Sequence, residues 1–249
     1  MSTSVTASFS CFVTGTDTEI GKTLISTAIL HALVQTGVRA AAIKSVAAGA
    51  HPIQTADGEV WHNDDADALA QAANVVLPRN LAVPYMFKAA AAPHVAAKLE
   101  NVAIDIAHIR SCYAQVVEMA DAVVVEGVGG FCVPLSDDAN TADLAQQLAL
   151  PVIMVVGLRL GCLNHALLTA DAIAARGLTL VGWVANTVDA GMAYAGDNVE
   201  TLSARLSAPL LGCVPRLSVD DSDQQHAPLP AAAAAFLDFS CLPGWPKSA

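Results

Sequence analysis

The chain of 249 residues carries 12 lysines and arginines against 23 aspartates and glutamates, so its formal net charge is −11. This balance disfavours a nucleic-acid partner, because such partners are held by basic side chains that neutralise phosphates. Hydrophobic residues make up 54% of the chain and charged residues 14%, which excludes disorder and favours one large domain over residues 1–249. No apolar run reaches the ~18 residues that a membrane span needs.

The start of the chain and its cysteines indicate the compartment. The first ten residues lack the basic segment and apolar stretch of a secretory signal. The six cysteines show no C-x-x-C spacing, so we predict buried thiols of a reducing compartment, not a disulfide frame or a zinc site. We therefore expect a cytoplasmic enzyme with neither nucleic acid nor membrane as a partner.

Short apolar runs alternate with segments of helical period along the chain. This pattern predicts an α/β fold, a doubly wound and mostly parallel sheet with helices on both faces. The predicted strands cover residues 10–13, 40–43, 122–125, 152–156, 181–185 and 210–214. The predicted helices cover 24–33, a segment capped by Asn63, and residues 106–120, 163–175 and 196–207. Residues 45–62 are predicted to form a long loop, and the Ala- and Pro-rich tail from Pro228 shows no chemistry.

A phosphate-binding loop is predicted between the first strand and the first helix, where Phe12–Thr23 reads FVTGTDTEIGKT. Glycines let backbone N–H groups turn toward phosphate oxygens. Lys22 would reach the terminal phosphates, and Thr23 would ligate magnesium. Gly15 comes one residue early for the usual G-x-x-x-x-G-K-[ST] spacing. The strand–loop–helix context outweighs this departure and favours a phosphate site over an ordinary tight turn.

Three further polar residues, Lys44, Glu126 and Asn186, each follow directly on a buried apolar run. In doubly wound sheets the carboxyl ends of the strands form the ligand-binding edge, so we expect these side chains near the phosphate loop. Lys44 would neutralise charge on a transferred phosphoryl group, and Glu126 would hold magnesium directly or through water. Asp64, Asp65 and Asp67 are candidates for a second magnesium ligand, and the pattern does not choose among them. Acidic residues in the first turn of a helix are already explained by their favourable interaction with the helix dipole.

A series of motifs from about residue 10 to 217 resembles the dethiobiotin synthetase family, in which the extra residue of the phosphate loop is normal. After that loop come KSVAAG at 44–49, NDDA at 63–66, VPYMF at 83–87, APH at 92–94, VEGVGG at 125–130, VGLRLGCLNH at 156–165, GWVAN at 182–186 and PLLGCVP at 209–215. The loop alone indicates only a nucleotide-binding superfamily, whereas the later motifs single out this family.

The resemblance implies a P-loop ligase that depends on ATP and Mg2+ and works as a homodimer. It would close the ureido ring of dethiobiotin from 7,8-diaminononanoate and carbon dioxide, through a carbamate and its phosphoric anhydride. By position, the resemblance makes Lys44, Lys22, Thr18 and Glu19 catalytic, and it makes Thr23, Asp65 and Glu126 the magnesium ligands. The implied nucleotide-binding residues are Glu19, Ile20, Gly21, Lys22, Thr23, Leu24, Asp65, Glu126, Gly127, Val128, Gly129, Asn186, Thr187, Pro215, Arg216 and Leu217. The implied substrate residues are Ala48 and, from the neighbouring subunit, Gly161, Cys162 and Asn164.

Two positions depart from the family, which often has proline and a hydroxyl residue where this chain has Ser45 and Ala48. A lost hydroxyl removes a hydrogen bond typically worth ~0.5–1.5 kcal/mol, so we expect weaker substrate affinity and an unchanged reaction type. Two other classes stay open. A related amide-forming ligase usually adds a glutamine-hydrolysing domain, for which the chain has no room. A partitioning-type ATPase switch usually has an early second lysine in its phosphate loop, and here no lysine precedes Lys22.

Overall fold

The computed structural model describes residues 9–55, 58–217 and 229–247. In chain order the elements are β1 (Phe9–Gly15), α1 (Lys22–Gln35), β2 (Ala40–Lys44), β3 (Val46–Ala48), β4 (His51–Thr55), β5 (Gly58–His62), α2 (Asp64–Ala72), α3 (Arg79–Ala82), β6 (Tyr85–Phe87), α4 (Pro93–Leu99), α5 (Ile106–Met119), β7 (Ala122–Glu126), α6 (Thr141–Leu148), β8 (Val152–Leu158), α7 (Cys162–Ala175), β9 (Leu180–Thr187), α8 (Ala195–Arg205), β10 (Leu210–Val214) and α9 (Leu229–Ala234).

A six-stranded parallel sheet in the order β10–β9–β8–β1–β7–β2 forms the centre of the fold. Strands β2, β7 and β8 are buried along their whole length, as expected for strands covered on both faces. The six predicted strands and the doubly wound α/β fold are thereby confirmed. Among the described residues, no helix has the length and apolar character needed to cross a membrane.

The side chains of β1 alternate between the two faces of the sheet, following the two-residue period of a strand. Cys11 and Val13 belong to a core cluster with Ile25 and Ile29 of α1. Phe12 belongs to the cluster on the other face, with Ile109 of α5. Strand β1 is therefore covered on both sides, and its carboxyl end is held in the middle of the sheet.

The chain order of the strands reverses at β1, which pairs with β7 on one side and β8 on the other. Such a reversal opens a crevice at the carboxyl ends of the strands. The loop between β1 and α1 lies at this crevice. Strands β2 and β7 end there too, at Lys44 and Glu126, while Asn186 is the last residue but one of β9.

The prediction of a long loop over residues 45–62 is wrong. β3 pairs in parallel with β6, and β4 and β5 form an antiparallel hairpin. Neither pattern is visible as an apolar run. β3 is only three residues long, and the residues at 51–54 and 58–62 of β4 and β5 are exposed or half-buried. Pairing with a partner elsewhere in the chain, and not local periodicity, makes these segments strands.

The predicted start of α2 is confirmed. The Asn63 side chain accepts a hydrogen bond from the backbone N–H of Ala66 at 3.2 Å, as a helix N-cap does. The same side chain donates to the carbonyl oxygen of Ala48 at 3.1 Å. Asn63 therefore ties the first turn of α2 to β3, which places the acidic residues of that turn beside the carboxyl end of β2.

The segment of residues 229–247 is part of the core. Phe239 and Leu242 are buried in the cluster that contains α1, and the Trp245 ring contacts both Phe9 and Phe239 at centroid distances of 5.1 and 4.8 Å. Residues 218–228 lie outside the described part of the chain. The tail named in the sequence analysis thus contributes packing, through its residues from 229 onward, to the face of the sheet that carries α1.

The prediction that the six cysteines are buried is wrong for half of them. Cys11, Cys112 and Cys162 are buried, whereas Cys132, Cys213 and Cys241 are exposed. All six are free thiols. Burial raises the pKa of the Cys11 thiol, so that residue stays neutral in the core.

We expect Phe239→Ala to lower the free energy of unfolding by about 3 kcal/mol, because it leaves a cavity against Trp245 and α1. Phe239 is 5% exposed, while Phe236 in the same segment is 47% exposed. The matched variant Phe236→Ala should therefore lose less than about 1 kcal/mol. Urea-induced unfolding measures both values, and equal losses would show that the segment does not pack through Phe239.

Candidate active site

The predicted phosphate loop, residues 16–21, curls around the side chain of Lys22. The Lys22 ammonium donates to the carbonyl oxygen of Asp17 at 2.8 Å. Glu19 and Gly21 both have left-handed backbone conformations, with φ of 57° and 84°, and these two turns reverse the chain before α1 begins. Strain at a non-glycine residue such as Glu19 is typical of ligand-binding loops.

Asn186 supports this loop from behind. Its side-chain amide donates to the carbonyl oxygen of Ile20 at 2.8 Å, and the residue is buried. A Cβ atom at Gly21 would lie 2.2 Å from Asn186 Nδ2. Gly21 is thus required for two reasons, since it has a left-handed backbone and leaves room for the amide.

The centre of the site is an ion-pair network around Lys44. Its ammonium donates to Asp65 Oδ2 and to Glu126 Oε1, each at 2.6 Å. The Thr23 hydroxyl lies within hydrogen-bond distance of the same two carboxylates, 2.8 Å from Asp65 Oδ1 and 2.9 Å from Glu126 Oε1. Four elements, α1, β2, α2 and β7, therefore converge here through three charged side chains and one hydroxyl.

The pKa directions in this network follow from burial and from the paired charges. Burial lowers the pKa of Lys44, but Glu126 and Asp65 outweigh burial, and the net pKa is raised. Burial raises the pKa of Asp65, but Lys44 and Thr23 outweigh it, and the net pKa is lowered. Lys44 and Asp65 are therefore charged at neutral pH and stabilise one another.

Lys22 differs from Lys44. Burial and the nearby charge of Lys44 lower the pKa of Lys22 to about 8, and the attraction of the carboxylates only partly opposes them. The loop therefore holds a cation whose charge is incompletely compensated. An anion that bound inside the loop would supply the missing compensation.

The structure separates the three acidic candidates of α2. Asp65 points into the network, whereas the Asp64 side chain is 94% exposed and Asp67 pairs with His62 at 2.8 Å. All three residues lie in the first turn of α2. They differ in the direction in which their side chains point. Of the three, Asp65 is the one that faces Thr23 and Lys44.

Ser45, one of the two departures from the family pattern, gives β2 a contact that proline would lack. Its backbone N–H and its hydroxyl both donate to the carbonyl oxygen of Glu126, at 3.2 and 3.1 Å. Proline has no N–H and no hydroxyl to donate. Ser45 therefore binds the end of β2 to the end of β7, directly beside Lys44.

An open cavity of about 720 Å³ lies at this edge of the sheet. Its lining includes ten of the residues that the sequence analysis assigned to the site: Thr18, Glu19, Gly21, Lys22, Thr23, Lys44, Ala48, Asp65, Val128 and Gly129. Glu126 is fully buried and reaches the cavity through its contacts with Thr23 and Lys44. The cavity thus joins the phosphate loop to the ion-pair network.

The remaining predicted residues lie elsewhere. Ile20 is buried beneath the phosphate loop, and Leu24 packs against the core cluster of α1. Gly161 and Asn164 are exposed at the start of α7. Cys162 is buried among apolar residues that include Ala166 of α7 and Leu202 of α8, which agrees with the prediction of a buried thiol. Its assignment to the substrate stays a prediction.

Five of the implied nucleotide-binding residues, at 186, 187 and 215–217, also stay outside the cavity lining. Asn186 and Thr187 end β9, and residues 215–217 follow β10, which pairs with β9. Arg216 donates to the carbonyl oxygen of Val188 at 3.1 Å and so joins the two segments. Together they form a second polar region beside the phosphate loop, on the side where Asn186 contacts Ile20.

Several lining residues were not assigned by sequence. Residues 90–93 and Val133 also line the cavity. The motif APH at 92–94 was the available signal, but it indicated no chemistry. Asp17 and Arg159, which form an ion pair beside the loop, were also missed, because only the fold brings β8 next to β1.

The donor set fits a magnesium ion. The described residues contain no cluster of three or more His, Cys, Asp and Glu side chains that would form a complete metal cage. Thr23, Asp65 and Glu126 instead supply one hydroxyl and two carboxylates. Glu126 Oε2 is buried and has no hydrogen-bond partner among the described residues. Mg2+ is usually held by one or two carboxylates together with substrate phosphates and water, which matches this set.

A parallel sheet with this loop between its first strand and first helix defines a P-loop nucleotide-binding protein. In agreement, a family model described as an AAA domain (AAA_26) matches residues 10–223. The fold is similar to that of the MinD cell division protein of Aquifex aeolicus, with a TM-score of 0.54 and 13% identity over 91% of this chain and 96% of that chain. It is also similar to the septum site-determining protein MinD of Pyrococcus horikoshii, with a TM-score of 0.53 and 17% identity over 91% and 92%.

The chain is 79% identical to the ATP-dependent dethiobiotin synthetase BioD of Janthinobacterium sp. (strain Marseille), over 98% of this chain and 100% of that protein. It therefore belongs to the family of ATP-dependent dethiobiotin synthetases. This relation confirms the resemblance seen in the motifs, the prediction of a ligase and the dependence on ATP.

We expect Gly21→Ala to weaken the binding of a non-hydrolysable ATP analogue at least about tenfold, because the new methyl group displaces the buried Asn186 amide. Gly37→Ala is the matched control, since Gly37 has a φ of 85° but no atom near its Cβ position. Both variants should lose about 1–2 kcal/mol of stability from the left-handed backbone. Equilibrium titration and urea unfolding separate the two effects, and equal nucleotide affinities in the two variants would contradict the assignment.

Proposed function

We propose that this protein closes the ureido ring of dethiobiotin from 7,8-diaminononanoate and carbon dioxide, with ATP and Mg2+. The observation that carries the proposal is the convergence of Lys22, Lys44 and three oxygen ligands on one cavity. The relation to a named ATP-dependent dethiobiotin synthetase at 79% identity supports the same reaction.

The reaction needs three balanced steps. One amine of the substrate adds to carbon dioxide and loses a proton, which gives a carbamate. A carbamate oxygen then attacks the terminal phosphorus of ATP, ADP leaves, and a carbamic–phosphoric anhydride forms. The second amine attacks the carbamate carbon, phosphate leaves, and a proton is released as the ring closes. Holding both amines in one cavity makes this last step intramolecular.

The two lysines are the groups that stabilise charge in this scheme. Lys22, whose charge is incompletely compensated, would bind the terminal phosphates. Lys44 would neutralise charge on the phosphoryl group as it moves to the carbamate oxygen. Thr18 and Glu19, at the mouth of the phosphate loop, would line the carbamate and diamine region of the cavity.

Magnesium would be held by Thr23, Asp65 and Glu126, the oxygen donors that surround Lys44. When bound, the ion would neutralise phosphate charge during the transfer. The residues themselves must exchange partners for this to happen, because both carboxylates are hydrogen-bonded to Lys44 and close to Thr23. Lys44 would then be free to turn toward the carbamate.

The adenine would bind at the second polar region, beside the phosphate loop. The main candidates are Asn186 and residues 215–217, with Thr187 next to them. The contact of Asn186 with Ile20 supports this role, because the same side chain would then contact both the base and the phosphate loop. The phosphate groups would extend from there along residues 19–24.

We also propose a homodimer in the cytoplasm, in which Gly161 and Asn164 reach the diamine of the neighbouring subunit. Leu160 and Leu168, near these residues, are large exposed apolar side chains of a kind that a second copy would cover. Six free thiols are in keeping with a reducing compartment. We further propose that the chain forms one catalytic domain, which includes the core residues of 229–247.

The decisive experiment incubates the protein with ATP, Mg2+, bicarbonate and diaminononanoate, and measures dethiobiotin and phosphate. We expect phosphate release that depends on the diamine, with one dethiobiotin formed per phosphate. Hydrolysis without any diamine effect would reject the proposal, and amidation of a carboxylate by ammonia would favour the related amide-forming ligase.

We expect Lys44→Gln to lower turnover at least about 1000-fold, because it removes the cation from the transferring phosphoryl group. The glutamine amide can still donate to the buried carboxylates, so the fold should be kept, as circular dichroism will check. Lys98→Gln is the control, since Lys98 is an exposed lysine of α4. Near-normal turnover in Lys44→Gln would remove Lys44 from the mechanism.

A further inference from the structure

The described structure contains a charged contact beside the cavity to which neither the family relation nor the proposed mechanism assigns a role. Asp17, in the phosphate loop, forms an ion pair with Arg159, which follows β8 directly. Both side chains are substantially exposed, at 39% and 43%. Exposed pairs of this kind contribute little to the stability of a fold.

Asp17 is the point at which the shape of the loop and the position of Lys22 are joined. Its Oδ1 atom accepts a hydrogen bond from the backbone N–H of Thr18 at 2.7 Å, while its Oδ2 atom contacts Arg159. Its carbonyl oxygen accepts the Lys22 ammonium at 2.8 Å. A rotation of Asp17 would therefore move both the following residue and the acceptor of Lys22.

Arg159 is held on the other side by the start of α7. Its carbonyl oxygen accepts a hydrogen bond from the N–H of Cys162 at 3.0 Å, and Gly161 precedes the helix with a left-handed backbone. Gly161 and Asn164 are the residues proposed for the diamine of the neighbouring subunit. Arg159 thus lies between the phosphate loop and the segment that would contact this diamine.

We propose that Arg159 is a positioning residue that connects the phosphate loop to the start of α7 through Asp17. The pair holds Asp17 so that its carbonyl oxygen faces Lys22, and it makes the affinities for nucleotide and diamine depend on each other. The diamine part of this inference rests on the proposed function, whereas the nucleotide part does not.

The test compares Arg159→Met, Asp17→Asn and the double variant. The side chain introduced by Asp17→Asn would retain an oxygen for the Thr18 N–H but lose the charge that attracts Arg159. We expect each single variant to weaken binding of a non-hydrolysable ATP analogue about fivefold to tenfold, and the double variant to be no weaker than either one. Arg159→Lys should recover part of the affinity, since it restores the positive charge.

Arg176→Met is the matched control. Arg176 pairs with Asp143, whose carboxylate also accepts a backbone N–H, from Asn140, and both side chains are partly exposed. This second pair joins α6 to the end of α7, away from the cavity. We expect its loss to change the melting temperature as little as the loss of Arg159 does, and to leave nucleotide affinity unchanged.

Three outcomes on nucleotide binding would overturn the inference. If Arg159 contacted phosphate directly, Arg159→Met would weaken binding while Asp17→Asn would leave it unchanged or strengthen it. If the two residues acted independently, the losses in the double variant would multiply. Wild-type affinity in Arg159→Met would contradict the inference in the same way.

The connection to the diamine is tested by steady-state kinetics. We expect Arg159→Met to raise the KM for diaminononanoate at least about threefold, with a smaller change in kcat, and an unchanged KM would overturn the connection. A wild-type protein that makes no dethiobiotin would reject the proposed function and, with it, the connection to the diamine, whereas the nucleotide titrations would still decide the role of the ion pair in the loop.

Discussion

The rest of the site depends on the burial of Lys44 between two carboxylates. A buried ammonium costs several kcal/mol unless oppositely charged groups surround it, and Asp65 and Glu126 do so here at 2.6 Å each. Because these residues come from β2, α2 and β7, the pairing brings three elements to one point. The Thr23 hydroxyl adds α1 to the same point. The network therefore prepares a group of oxygen ligands and a cation that a phosphate-bearing substrate can use without large rearrangement of the backbone.

The phosphate loop is held in shape by contacts from behind and from the side. Asn186 binds the Ile20 carbonyl, and the N–H of Thr16 donates to the Val155 carbonyl at 3.0 Å. Gly157 leaves room for Ile20, since a Cβ atom there would lie 2.5 Å from its side chain. Strands β8 and β9 thus determine the loop geometry as much as β1 does. Local patterns predicted the loop and Asn186, whereas the supporting contacts of Val155 and Gly157 were not predicted, because they depend on β8 lying beside the loop.

The fold is predictable from the sequence where buried residues form apolar runs or recur with a regular period. The six strands of the central sheet are apolar runs because helices cover them on both faces, and α2 begins at Asn63 because that side chain accepts the Ala66 N–H. The hairpin of β4 and β5 shows no such periodicity. Its residues lie mostly outside the core, and apolar and polar residues do not alternate clearly along it. The packing of Phe239 and Trp245 was missed for a similar reason, because an Ala- and Pro-rich stretch precedes them. Such contacts depend on partners that are distant in the chain.

By itself, the sequence determined the phosphate loop, the family, and the presence of Lys44, Glu126 and Asn186 at the ends of three strands, because a strand that ends in a polar residue after an apolar run is a local pattern. Position in the helix left Asp64, Asp65 and Asp67 open, and only the family resemblance indicated Asp65; the tertiary structure shows that its side chain is the one that faces the cavity. Tertiary structure alone decided that Cys132, Cys213 and Cys241 are exposed, that Ser45 binds β7, and that Asp17 meets Arg159. Each of these outcomes depends on the direction of a side chain relative to another element, which a one-dimensional pattern does not contain.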